Sequence, residues 1–239
     1  MTPRTAWRGC AAAGIVAFIC SASFGLIPGM VACGPTGGLD PIVAFEFTRT
    51  PAAVAALFGS EPCTATLVAA QKTGLLLDTL GFIPSYTAFL ILAAIATGTR
   101  TPRVRMAVIA TFIIAAVSDQ IENGLLYAIL RDLPGTSALL GPLWWAVHVK
   151  FTLLALGMIT IGALLFGTGR KLARVFGTIV AIAGCVSCYG VSPASGGAMV
   201  IGFLYGWTTL LVGALLACLS TSPFAARAAP PPDQATPSA

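Results

Sequence analysis

Charge and histidine are scarce in this sequence. Its 239 residues include 13 Lys or Arg, 8 Asp or Glu and a single His. One imidazole cannot build a His-rich metal centre. No Gly-rich, phosphate-cradling loop leads into a helix, which leaves out P-loop and dinucleotide sites, and no Gly-x-Ser-x-Gly nucleophile elbow occurs. Apolar residues fill the space instead: 57% of the chain is hydrophobic and the mean hydropathy is +0.92. A water-soluble globule cannot hide that much apolar surface. The expected fold class is all-α, a polytopic transmembrane helical bundle whose main partner is the lipid bilayer.

A hydrocarbon core about 30 Å thick takes roughly 20 apolar residues to cross as a helix, because the backbone must satisfy its own polar groups there. Six stretches qualify, at 9 to 31, 75 to 97, 106 to 130, 139 to 166, 175 to 192 and 198 to 219. Together they form a single membrane domain over 1 to 222. Lys and Arg in short loops stay on the cytoplasmic side. Arg4, Arg8, Arg100, Arg103, Arg105, Arg170, Lys171, Arg174 and Arg227 fall on one side of a six-span arrangement, against Arg49, Lys72 and Arg131 on the other. Both termini are therefore expected in the cytoplasm. This bias accounts for the net charge of +5, so no nucleic-acid partner is read from it. The Pro- and Ala-rich segment 223 to 239 has the composition of a disordered tail. A basic start before an apolar run also suits a cleaved signal, and "MVACG" resembles a lipoprotein box with Cys33 as the lipidated residue. The five spans downstream favour a retained first helix.

Residues 34 to 72 form the one long segment outside the spans. Asp40 before Pro41, and Thr50 before Pro51 with Gly59 closing the run, have the pattern of two short capped helices lying at the outer membrane surface or over the bundle. Glu46, between Phe45 and Phe47, is the acid such a cap could press toward the spans. A solvated surface glutamate is its plainer reading.

Five ionisable residues lie within the spans. Counted from the inner boundary, Asp78 sits at about 28 Å, Asp119 at about 20 Å, Glu122 and Lys150 at about 24 Å and His148 at about 27 Å. Asp119, Glu122 and Asn123 share one helix face. His148 and Lys150 are about 200° apart around their helix, so one helix cannot aim both inward. Lys150 shares its side with Ala146, Leu153 and Gly157 and is aimed into the bundle. His148, beside Trp144 and Trp145, is aimed at the interface. A charge in lipid costs about 2.5–3.5 kcal/mol on insertion scales and therefore pairs or lines a cavity. Glu122 and Lys150, at one depth on sequential helices, are the expected pair. Asp119 and Asp78 are left without a basic partner, so that at least one is protonated or a cation is bound.

"FEFTRTPAAVAALFG", "LLLDTLGFIPSYTAFL", "SDQIENGLLYAIL" and "HVKFTLLALG" resemble a family of bacterial integral membrane proteins that has no assigned activity. That family shows an F-E-L-like outer segment, an L-D-x-x-F-x-P-x-Y span, a D-x-x-E-N span and an intramembrane Lys. The resemblance covers roughly residues 42 to 166 and groups Glu46, Asp78, Pro84, Tyr86, Asp119, Glu122, Asn123 and Lys150. It brings no chemistry with it. Pro84 frees a backbone carbonyl one turn earlier, that of Leu80, and should kink its helix near Asp78. Tyr86 offers a hydroxyl nearby, or simply packs.

Sulfur suggests another chemistry. Cys185 and Cys188 form a Cys-x-x-Cys in span five, and Cys33 and Cys63 lie at or in the outer segment, where an oxidising compartment would let them pair. In spacing alone this is similar to quinone-coupled thiol oxidoreductases of the vitamin K epoxide reductase type. Small residues at close helix contacts explain "GCVSCYG" equally well. Three functions follow from these residues. One is an outward-facing site of Asp78, Asp119, Glu122, Asn123 and Lys150, with Glu46, Tyr86 and His148 as accessories, that binds or conducts a proton, cation or small polar ligand. Another is a quinone-linked oxidoreductase, the only reading with a cofactor. The last is a structural polar cluster.

Overall fold

The computed structural model describes residues 2–98, 101–191, 196–220 and 224. Six helical segments in it are long and apolar enough to cross a membrane. Helix α1 (Pro3–Phe24) starts on a Thr2 hydroxyl that accepts from the Thr5 amide, with Pro3 at the first helical position. It ends before the expected boundary at 31. Pro28 cannot continue a helix and disfavours helical geometry at Ile27, so residues 25–31 turn away. The outer segment carries α2 (Pro41–Glu46) and α3 (Pro51–Phe58) at the two Pro-marked positions. Thr50 caps α3 through the Ala53 amide, whereas the Asp40 side chain makes no capping bond to α2.

Span two is longer than its apolar core. It begins as α4 (Cys63–Leu77), passes through one π-helical turn at Asp78–Phe82 and continues as α5 (Ile83–Ala96). Gln71 and Lys72 interrupt the hydropathy but not the helix. Gln71 is buried and its Nε2 donates to the Pro41 carbonyl at 3.0 Å, while Lys72 is exposed. The remaining spans are α6 (Pro102–Arg131), α7 (Ser137–Gly167), α8 (Lys171–Gly190) and α9 (Gly196–Leu219). Each span packs on the next in chain order, and α9 closes the ring onto α1. Arg100, residues 192–195, Arg227 and the rest of the tail from 225 lie outside the described residues. Phe224, placed in the tail by composition, is buried against Trp7 and Phe176.

Apolar packing divides into two bodies. One holds Tyr86, Phe89, Phe112, Ala115, Leu154 and Met158, and the other holds Phe45, Phe58, Leu75, Leu126, Ile129 and Val147. Along α6, residues 118–123 separate Ala115 from Leu126; along α7, Lys150 separates Val147 from Leu154. The polar residues thus form a layer between two apolar cores, roofed by α2 and α3.

Candidate functional site

Lys150 is the centre of this layer. Its Nζ lies 2.8 Å from Glu122 Oε1, 3.1 Å from Asp119 Oδ1 and 3.2 Å from Glu46 Oε2. An ammonium has three N–H donors, and three carboxylates meet it. The ammonium also lies over the Phe151 ring, 4.2 Å from its centroid. The Glu122–Lys150 pair forms as the matched depths imply. Two expectations about its neighbours need correction. Asp119 does have a basic partner, because one helical turn below Glu122 its carboxylate still reaches the long lysine stem. Glu46 is not solvated: α2 lies over α6 and α7 and carries it into the site, leaving it 9% exposed. Burial pushes its carboxyl up from the ordinary glutamate range, against the opposing pull of Lys150.

A second tier of hydrogen bonds fixes these groups. Tyr86 Oη donates to Asp119 Oδ2 at 2.7 Å, so Tyr86 acts as more than packing. Asn123 Nδ2 reaches Asp78 Oδ2 at 2.7 Å and Thr79 Oγ1 at 3.0 Å, tying span three to span two. Ser118 Oγ donates to the Ala146 carbonyl at 3.0 Å, which locks α6 against α7 at the level of the cluster. Asp78 is half-buried, whereas Asp119, Glu122 and Lys150 are buried. Among the described residues no donor reaches the buried Glu122 Oε2.

Pro84 acts through a wider turn than a simple kink. Ile83 N–H bonds to the Asp78 carbonyl, five residues back. Continued by one residue, that register would have residue 84 donate to the Thr79 carbonyl, and proline has no N–H. Gln120 Nε2 supplies the bond to Thr79 O instead, at 3.0 Å. The extra residue of the π turn brings Asp78 to Asn123. Gln120, Thr79, Ser118 and Phe151 were not anticipated from the sequence. Gln120 sits inside the "SDQIEN" run, and its polarity beside Asp119 was the available signal.

His148 stands apart from the cluster. It stacks on Trp144 at 4.2 Å and accepts Phe47 edge-on at 6.0 Å, with Arg49 over Trp144 at 5.2 Å. These rings cluster in the first half of α7, on the side of the helix away from Lys150. Cys33 and Cys63 are joined in a disulfide, which ties the segment after α1 to the start of α4 and engages the sulfur that a lipidated Cys33 would need. Cys185 and Cys188 are free and exposed on α8. The close contacts of that helix are made by its other face, where Gly184 meets Ala155 and Ser187 Oγ donates to the Met199 carbonyl. The disulfide and the Cys-x-x-Cys are therefore held in different parts of the fold, with the second pair turned out of the bundle.

No protein-family model, curated protein or solved structure matches this chain.

Proposed function

We propose that this chain is a bacterial inner-membrane protein, with both termini in the cytoplasm, whose buried cluster takes up and releases protons as it binds or passes a small polar ligand or cation. The observation that carries this is the composition of the enclosed layer. Three carboxyl groups, of Glu46, Asp119 and Glu122, meet the ammonium of Lys150, and a fourth, of Asp78, stands beside them on Asn123. Full ionisation would leave several uncompensated negative charges in a low-dielectric layer, where an unpaired ion is costly by several kcal/mol. Protons are the simplest neutralising charge, since Lys150 already fills the position at which a cation would meet three of the acids.

Infrared spectroscopy of the purified protein in nanodiscs tests this directly. The wild type should show a protonated carboxylic-acid band at neutral pH, weakened in Glu122→Gln and shifted in Tyr86→Phe. A spectrum with no protonated carboxyl from neutral to alkaline pH would remove the proposal.

Orientation follows from the basic residues at the starts of α1, α6 and α8, and from the Cys33–Cys63 disulfide, which suits an oxidising outer compartment. A variant with its five free cysteines replaced by serine or alanine checks it. After reduction, a membrane-impermeant maleimide added to intact cells should label Cys33 and Cys63. Labelling that appears only after lysis would invert the topology. The free, outward-turned Cys185 and Cys188 give the oxidoreductase reading no partner within the bundle, and the charged layer is favoured over it.

A further inference from the structure

Every charged member of the buried layer but one is carried by a membrane-spanning segment. Asp119 and Glu122 ride on α6, which runs for 30 residues, Lys150 on α7, which runs for 31, and Asp78 on the π turn inside span two. Glu46 alone comes from the outer segment. It ends the six-residue α2, within one turn of Arg49, which is exposed.

Glu46 and Glu122 also stand in a relation that two ionised carboxylates do not hold. Both contact the same Lys150 nitrogen, at 3.2 Å and 2.8 Å. The one nitrogen thus gathers both carboxyls, yet Glu122 Oε2, fully buried, has no donor among the described residues. A carboxylate only accepts, and a protonated carboxyl also donates. One proton on either residue turns this contact into a charge-assisted O–H···O bond, which is among the stronger hydrogen bonds. It also provides the missing donor.

We infer that Glu46 and Glu122 share one proton beside Lys150, and that Glu46 is the group through which this proton exchanges with the outer side. The inference rests on the proton-handling reading of the site and adds its route. Inward, an external hydronium gives its proton to a Glu46 oxygen and leaves as water. The Glu46 O–H bond then breaks as an O–H bond forms on Glu122, and Glu46 is again a carboxylate. Lys150 keeps its three protons throughout and holds the two acceptors in place. The groups facing Glu46 are Lys150 from α7, Glu122 and Asp119 from α6, and Asp78 from the π turn. Lys150, and a hydrogen bond donated by a protonated Glu122, favour an ionised Glu46, whereas the like charges of Asp119 and Asp78 favour a protonated one. Such a pair titrates as a unit. Burial keeps the Glu46 carboxyl above its ordinary range, so the folded state retains a proton there that the unfolded chain would release. Stability drawn from this site therefore falls as pH rises from the ordinary glutamate range upward.

The test uses the full chain in vesicles. An external acid step is followed by the protonated-carboxyl infrared band in wild type, Glu46→Gln and Glu46→Asp. Glutamine keeps an oxygen for Lys150 but cannot pass a proton, so Glu46→Gln should fold, as checked by its thermal transition. It should also answer the step at least about tenfold more slowly than wild type, with Glu46→Asp between them. Its thermal stability should be less sensitive to pH than that of the wild type. A Glu46→Gln response at the wild-type rate would overturn the route while leaving the proton site standing. Failure of the wild type itself to respond would overturn both.

Discussion

Lys150→Met is expected to destabilise the folded protein by about 3–5 kcal/mol near neutral pH, the range seen when one partner of a buried ion pair is removed. Methionine fills most of the lysine's volume but lacks the ammonium that lies over Phe151, so the loss is one of charge. The variant abandons three carboxylates at once, those of Glu46, Asp119 and Glu122, which the ammonium meets at 2.8–3.2 Å. Adding Glu122→Gln should restore part of this loss, because it removes the closest and most enclosed of the orphaned acids. Full recovery is not expected while Glu46 and Asp119 remain. The deficit should shrink in acid, where the carboxyls are protonated whether the chain is folded or not. Thermal unfolding in detergent at two pH values, for both single variants and the double variant, measures each term. Strictly additive losses, independent of pH, would show that the lysine is not the shared counter-ion of the cluster.

This cluster was half legible in the sequence, and the missing half has a physical cause. Asp119, Glu122 and Asn123 are three and four residues apart, and helical geometry alone puts them on one face. Lys150 could be matched to Glu122 because two sequential spans run antiparallel and depth can be counted along each. Both inferences are local or nearly so. Glu46 lies 104 residues from Lys150, in a segment whose placement over the bundle depends on the Cys33–Cys63 link and the Gln71–Pro41 hydrogen bond. No periodicity encodes such a placement. The plain reading of an acid in an outer loop is a solvated one, and here it fails.

The span boundaries show the same limit from the other side. Hydropathy marks where a helix can be buried in lipid, not where it stops. Pro28 ends α1 early although the residues around it are apolar, and α4 runs twelve residues ahead of the apolar core of its span because Gln71 finds a protein partner. Pro84 announced a disturbance near Asp78, but its form, a π turn repaired by Gln120, required knowing that span three lies alongside.

The second large effect is expected far from the charges, at the contact between α7 and α8. Gly162→Val and Gly177→Val should each prevent the bundle from closing, seen as loss of a cooperative thermal transition in detergent. A Cβ on residue 162 would stand 2.6 Å from the Gly177 carbonyl oxygen and 2.7 Å from the Ala181 nitrogen, and a Cβ on residue 177 would stand 2.5 Å from the Gly162 carbonyl oxygen. These neighbours are backbone, so no side chain can swing aside, and relief requires the two helices to part. Small residues let membrane helices approach in this way, and packing there is driven by that approach. Even Gly162→Ala should lose about 1–3 kcal/mol, the usual penalty of forcing an extra carbon into a filled contact. Gly124→Ala is the control. It lies inside α6 with nothing within 4 Å of its added carbon, and alanine there should stabilise the helix by up to about 1 kcal/mol. The seam also reaches the functional layer, since α7 carries Lys150 twelve residues before Gly162. A tolerated alanine at both seam positions, with stability equal to that of Gly124→Ala, would mean that α7 and α8 do not approach this closely. The ring that holds Lys150 against α6 and the cap would then have to be closed in some other way.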